Sequence, residues 1–144
     1  MAKYKFKFES ILRIKEVLEK KTKEEISIIN LEIENLKKQK EFLIQERNKV
    51  LSKMTEQMLK VSDYQSIKMY DNHLEQELIH IEKKIVEAYK TLEKKQKELI
   101  EKKKEVKSFE ILKENDKENF LIEEKRRELK TLNEIAIRNF DGDK

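Results

Sequence analysis

The sequence predicts an all-α protein in which two long helices form an antiparallel coiled-coil hairpin, with the second helix longer than the first. Three observations lead to this fold class. The 144 residues contain no Pro and one Gly, so little interrupts a helix. Charged residues make up 44% of the chain, and Glu, Lys, Leu and Ile dominate it, as is typical of coiled coils. Apolar residues also recur at alternating spacings of three and four.

The first helix is predicted over about residues 4–60. Its two core columns are Ile26, Ile33, Lys40, Arg47, Met54 and Ile29, Leu36, Leu43, Val50, Gln57. Upstream, the apolar stripe of Phe8, Ile11, Ile14 and Leu18 indicates a phase slip around Thr22. We expect the long stems of the core-column lysines and arginine to cover the seam while their charged ends reach water.

The second helix is predicted over about residues 63–139, followed by a short disordered tail, 140–144, within a single domain. Its columns are Asp71, Leu78, Ile85, Leu92, Leu99, Val106, Lys113, Phe120 and Ile67, Leu74, Ile81, Ala88, Lys95, Lys102, Phe109. Between the two helices, Ser62 and Gln65 match a capping box, which predicts a turn at about 61–63. The alternative is one continuous helix that pairs with another chain.

The spacing allows two registers for the hairpin. Asp71 faces Val50 in one, the Val50 register, and Gln57 in the other, the Gln57 register. We predict the Gln57 register, because it sets polar against polar near the tip, Leu43 against Ile85 and Phe8 against Phe120. Residues 124–140 then lack an intramolecular partner and carry apolar surface that calls for one.

The sequence predicts no enzyme, cofactor or metal site. It contains no Cys, and His73 and His80 are seven residues apart, which falls short of a zinc ligand set. A two-helix seam offers no cleft for acid–base catalysis or for a small-molecule substrate. The net charge of +4 comes from interleaved acids and bases, so nucleic-acid binding is not expected. With no apolar run that could span a bilayer, we expect a cytoplasmic protein.

Three short motifs resemble the FliJ family of flagellar export proteins. The start, Phe6-Lys-Phe8-Glu-Ser-Ile11-Leu12-Arg13, resembles the beginning of that family's first helix. Tyr70-Asp-Asn-His-Leu74 resembles the start of its second helix. Leu132-Asn-Glu134-Ile135-Ala136-Ile137-Arg138 resembles its closing motif. The length and the two-helix layout match over essentially the whole chain.

The resemblance implies a non-catalytic, stalk-like component of the type III flagellar export apparatus. Such a protein docks in the hexameric export ATPase, promotes assembly of its ring and ATP hydrolysis, and links it to the transmembrane export-gate protein. Export chaperones are further expected partners, and the protein would associate peripherally with the inner membrane at the flagellar basal body.

The resemblance also implies site residues. By position in its motifs, the ATPase-binding residues are Phe6, Phe8, Ile11, Arg13, Leu132, Glu134, Ala136 and Arg138, and the gate-binding residues are Tyr70 and Leu74. From the unpaired end we add Leu129 and Ile135 as apolar contacts, with Arg126, Arg127 and Arg138 as steering charges. The basic stretch that contains Arg126 and Arg127 fits either a docking surface or a solvated helix face.

Three alternatives stay open. The first is the analogous stalk of a virulence-type secretion system. The second is a generic coiled-coil scaffold that homodimerises without an ATPase partner. The third is a small helical hairpin that binds nucleic acid, which would show steeply salt-dependent binding.

Overall fold

A computed structural model describes residues 2–56 and 60–142 of the chain. Helix α1 spans Glu9–Glu56 and helix α2 spans Val61–Gly142. The two helices pack against each other, and the described residues contain no strand, which confirms the predicted all-α hairpin. Neither helix, over its described residues, has a stretch long and apolar enough to cross a membrane.

Both helices are favoured locally as well as by packing. Glu, Lys, Leu and Arg are strong helix formers, and no Pro is present to remove a backbone donor. Exposed pairs such as Glu34–Lys38 at 3.8 Å and Glu93–Lys97 at 3.6 Å place the acid one turn before the base. This is the orientation that supports a helix, by a few tenths of a kcal/mol per pair.

The helix boundaries correct three predictions. The predicted turn at 61–63 is wrong, because these residues are helical and the carbonyl of Lys60 accepts a hydrogen bond from the N–H of Tyr64 at 3.0 Å. Lys60 rather than Ser62 therefore occupies the N-cap position of α2. The predicted start of the first helix near residue 4 is also wrong, since α1 begins at Glu9. Phe140 lies in α2 rather than in a disordered tail. Gln57 and the last two residues lie outside the described part.

The chain divides into two compact units, although the sequence predicted one domain. Met1–Lys20 and Ile100–Lys144 form the terminal unit, and Lys21–Leu99 form the central unit. Each unit contains a segment of α1 and a segment of α2, and each has its own buried residues. We describe them separately.

The core of the central unit is a seam between the helices. It consists of two clusters, Leu43, Val50, Leu74, Leu78 and Ile81, and Ile33, Leu36 and Ala88. The predicted columns are confirmed, because every described member of all four is buried or half-buried. Periodicity alone was sufficient to find the seam-facing side of both helices.

Ion pairs across the seam show that the predicted Gln57 register is wrong. That register would set Lys15 against Lys113, two like charges. Instead, in the terminal unit, Lys15 Nζ lies 2.9 Å from Glu105 Oε2, and Lys113 Nζ lies 2.9 Å from Glu9 Oε2. These pairs fit the Val50 register. In the central unit, the 2.8 Å contact of Lys95 Nζ with Glu25 Oε2 fits the same register.

Arg47 explains why the Val50 register tolerates Asp71 in a core column. The Arg47 Nε donates to Asp71 Oδ1 at 2.9 Å, and Arg47 Nη2 lies 3.7 Å from Glu75 Oε2. Both Arg47 and Asp71 occupy core columns, so each neutralises a charge that would otherwise be half-buried alone. Judging Asp71 against Val50 only, without the arginine one turn away, led to the wrong register.

The predicted phase slip around Thr22 is absent from α1. Leu12, Lys15, Glu19, Thr22 and Ile26 are all buried or half-buried, and they keep the alternating spacing. Leu12 is 4% exposed, whereas Ile11 and Ile14 are exposed. Polar residues at core positions hid the true phase, and the apolar residues beside them suggested a false one.

Residues 2–8 form an N-terminal strap that lies against α2; residues 2–6 have no regular secondary structure, and Lys7 and Phe8 form a turn that leads into α1. The ring centroids of Phe6 and Phe8 lie 5.8 Å apart, edge to face. The ring centroid of Tyr4 lies 5.4 Å from that of Phe120, and the centroid of Phe8 lies 6.3 Å from that of Phe109. The strap therefore contacts α2 as far along that helix as Phe120.

Candidate partner-binding surfaces

Helix α2 continues past the last residue that the strap covers. We call residues 121–142 the overhang. All of its side chains from Leu121 to Asp141 are exposed, apart from half-buried Glu124, which pairs with Arg127 at 3.6 Å. The overhang begins three residues earlier than the predicted unpaired end, 124–140, because the register differs.

The seam-facing side of α2 becomes polar in the overhang. Past Phe120, continuing the two core columns in steps of seven gives Glu123, Lys130 and Ile137 in one and Arg127, Glu134 and Asp141 in the other. Before Ile137, this side offers a second helix nothing apolar to bury. The intramolecular seam therefore ends at Phe120 because its apolar columns end there.

Apart from Ile137, the apolar residues of the overhang lie away from the seam-facing side of the helix. Ile122, Leu129 and Ala136 recur every seven residues and share one face. Leu132 and Ile135 widen this apolar stripe to one side. Leu129 and Leu132 are each 60% exposed, and Ile135 is 48% exposed. An exposed stripe of this kind indicates a surface for a partner.

The arginines predicted as steering charges fall on two different faces. Arg127 and Arg138 are each two residues from a member of the stripe, which is a rotation of about 200° around a helix. They therefore point away from Leu129 and Ala136, although Arg138, three residues after Ile135, lies about 60° from that edge of the stripe. Arg126, three residues before Leu129, lies about 60° from that residue and flanks the stripe. The overhang presents an apolar face and, nearly opposite, a face on which basic and acidic residues mix.

The N-terminal candidates divide between packing and surface. Phe6 is buried and Phe8 half-buried in the cluster with Leu12 and Val106, so both hold the strap in place. Ile11 is 41% exposed and Arg13 is exposed, so these two side chains are accessible to a partner. The terminal unit thus contains accessible candidates on α1 as well as in the overhang.

The two gate-binding candidates also differ. Tyr70 is 46% exposed and lines an open groove between the helices. Leu74 is 3% exposed in the core cluster with Leu43 and Leu78. The predicted contact of Leu74 with a partner stays a prediction, and its side chain presents almost no surface while the seam is closed.

The charged groups at the seam hold the helices together. Hydrogen bonds to Asp71 and to Glu25 raise the pKa values of Arg47 and Lys95, respectively, against the effect of desolvation. The hydrogen bond from Lys15 lowers the pKa of Glu105. None of these groups lies in an enclosed cleft of the kind that acid–base catalysis needs, and their partners suffice to explain the shifts.

Tyr4 fastens the strap and was missed by the sequence reasoning. Its hydroxyl donates to Asp116 Oδ2 at 2.9 Å and lies 3.3 Å from the Lys113 carbonyl oxygen. Desolvation, followed by the hydrogen bond to Asp116, raises the pKa of Tyr4 to about 12. The alternation of aromatic residues and lysines was the available signal, since a period of two is typical of an extended segment.

Metal-ligand geometry is absent from the described residues. No group of three or more His, Cys, Asp or Glu side chains in residues 2–56 and 60–142 is placed to hold an ion. His73 Nε2 lies 3.2 Å from Glu77 Oε1 one turn along the same helix, on the surface.

Comparison with known proteins identifies the family. The family model described as Flagellar FliJ protein matches residues 4–144, nearly the whole chain. Searches of curated proteins and of solved structures found no match. The match covers the strap, both helices and the overhang. The chain belongs to the FliJ family of non-enzymatic flagellar export components.

Proposed function

We propose that this chain docks in the ring of the flagellar export ATPase through its overhang, and promotes ring assembly and ATP hydrolysis. The observation that carries the proposal is the two-faced overhang, in which Leu129 and its apolar neighbours lie on one side and Arg127 and Arg138 lie nearly opposite Leu129. A flat partner can touch only one of these faces at a time. A ring that surrounds the helix can contact both.

The intramolecular seam supports the same proposal. Its columns turn polar after Phe120 while apolar residues appear on the other side of α2. The overhang thus does not simply extend the hairpin core. Ile11 and Arg13 on α1 add accessible side chains to the same terminal unit, so a ring that encloses the overhang has further contacts available.

The second part of the proposal is a link to the transmembrane export gate through the groove that Tyr70 lines. One protein that binds the ATPase with its terminal unit and the gate with its central unit would connect the two. This link would place the chain at the inner membrane by association with a partner. Export chaperones stay an expectation from the resemblance.

Two double variants test the ring proposal. Leu129→Ser with Leu132→Ser removes apolar contacts of the stripe. Arg127→Glu with Arg138→Glu reverses the charge at both arginines. We expect each to weaken binding to the cognate export ATPase by about tenfold or more and to reduce stimulated ATP hydrolysis. The charge variant should lose most at low salt, because salt screens long-range attraction.

The matched control is Ile28→Ser, which changes an equally exposed side chain of the central unit. Circular dichroism should show unchanged helicity for all three proteins. Unchanged ATPase binding in both double variants would refute the proposal. Loss in only one of them would show a one-sided partner and contradict enclosure by a ring.

A further inference from the structure

An open groove runs along one edge of the hairpin in the central unit. It contains two cavities, one of about 590 Å³ beside Val50, Ile67 and Tyr70, and one of about 380 Å³ beside Phe42, Leu43 and Ile81. Val50, Leu43 and Ile81 belong to the buried seam and form the floor. Phe42, 60% exposed, and Tyr70 form apolar walls that stand in solvent.

The spacing of the two cavities fits a helix. Their floor residues Leu43 and Val50 are seven residues apart on α1, which is about 10 Å. On a helix, side chains seven residues apart share a face and are separated by the same distance. On a strand, a separation of about 10 Å corresponds to three residues, whose side chains point to opposite faces. Of the two, only a helix can therefore place two side chains of the same face in the two cavities.

Charge distinguishes the two walls of the groove. The α1 wall carries Lys38, Lys49, Lys53 and Glu46, and it is net basic although Lys49 lies 3.3 Å from Glu46 and Lys38 lies 3.8 Å from Glu34 on the same helix. The α2 wall carries Ser66, Tyr70 and Glu77 and no basic residue. An occupant with acidic side chains along the flank that meets α1 would complement this asymmetry.

We propose that this groove binds one amphipathic helix of a partner, which has two large apolar side chains seven residues apart and acidic residues along one flank. The partner helix would lie between α1 and α2 as the third helix of a local bundle, which is a known mode of helix recognition. The inference deepens the proposed link to the export gate and rests on it for the identity of the partner. Its chemistry rests on the groove alone.

A synthetic stapled helical peptide tests the chemistry directly. It carries Leu at two positions seven apart, Glu on one flank and Ser on the other. A control peptide of the same composition has its leucines five apart, on opposite faces. Fluorescence anisotropy with the full chain should show saturable binding of the first peptide and at least about tenfold weaker binding of the second. Absence of binding, or equal binding of both, overturns the proposal.

Variants at exposed positions locate the binding. Phe42→Ser should weaken peptide binding by about tenfold or more, since it removes the wall of one cavity. Lys53→Glu should weaken it mainly at low salt. Two control variants lie on α1 outside the groove. Ile28→Ser, like Phe42→Ser, replaces an exposed apolar side chain by Ser, and Lys21→Glu reverses a lysine charge as Lys53→Glu does. Both should leave binding unchanged. Equal loss in groove and control variants would contradict the proposal.

The same variants separate the groove from the gate link. Binding of the soluble part of the export gate is measured in parallel. If the peptide binds through the groove and the gate protein does not bind at all, the gate link fails while the groove inference stands. If the gate protein binds wild type and Phe42→Ser equally, the gate link stands and its placement in the groove is overturned.

Discussion

Leu74→Ala distinguishes a core residue from a partner contact. Leu74 lies in the cluster with Leu43, Val50 and Leu78, and it is the least exposed of the four. Truncating a buried Leu to Ala costs about 2–5 kcal/mol in protein cores. Ile67 and Ile85 at the margin of the cluster are only half-buried, so water or side chains can partly refill the space. We therefore expect a loss of about 2–3 kcal/mol, in the lower part of that range.

Urea and thermal unfolding followed by far-ultraviolet circular dichroism measure this loss. At about 3 °C per kcal/mol for a chain of this length, the Tm should fall by roughly 6–9 °C. Leu129→Ala, which truncates an exposed Leu of the overhang, is the matched control and should change stability by less than about 0.5 kcal/mol. A Leu74→Ala protein of normal stability that has lost gate binding would refute the reasoning and restore Leu74 as a surface contact.

Three further predictions concern the polar contacts. In Tyr4→Phe, an absorbance titration should lose the ionisation of Tyr4 near pH 12; the raised pKa means that the Tyr4 hydroxyl stabilises the fold below pH 10.0 and that this contribution is lost as pH rises through about 12. Glu105→Gln should lower the Tm at neutral pH. The difference from wild type should shrink as pH falls below 4.5 and vanish below the lowered pKa of Glu105, because the Lys15 pair is stabilising only while Glu105 is ionised. An unchanged difference at low pH would argue against that pair. Replacing Arg47 or Asp71 alone by Leu should lower the urea midpoint more than replacing both, because a single replacement leaves the other half-buried charge without its ion-pair partner.

Heptad spacing was enough to predict which sides of the helices meet. The column from Ile33 through Lys40 to Arg47 faces α2 although two of its members are charged. In the same columns, Arg47, Lys95 and Lys40 pair with acids across the seam, at 3.5 Å for Lys40 and Glu82. The expectation that their charged ends would only reach water was therefore incomplete.

The register was harder to predict because two alignments preserve the same spacing. The choice depends on which charges meet, and several charged residues must be considered at once. Arg47 reaches Asp71 from an adjacent core position, and Lys15 reaches Glu105. A comparison of single facing residues misses such diagonal contacts. The strap was missed for a related reason, since its hydrogen bond from Tyr4 to Asp116 joins residues that are far apart in sequence.

The overhang was predicted in outline and corrected in detail. Leu129, Leu132, Ile135 and Ala136 are exposed as expected. The prediction treated them and the arginines as one surface. The helical repeat places Arg127 and Arg138 nearly opposite Leu129 and Ala136, with Arg138 beside Ile135.

Disulfide trapping is the most direct test of the hairpin and of the register that defines the overhang. The chain has no Cys, so any disulfide that forms must join the introduced cysteines. Mild oxidation of Leu43→Cys with Leu78→Cys should give an intramolecular disulfide, because these residues pack in one cluster of the Val50 register. Leu43→Cys with Ile85→Cys, the pair of the Gln57 register, should form little, since a disulfide needs Cα atoms within about 7 Å. Efficient trapping of the second pair instead, or disulfide-linked dimers from the first, would contradict the account.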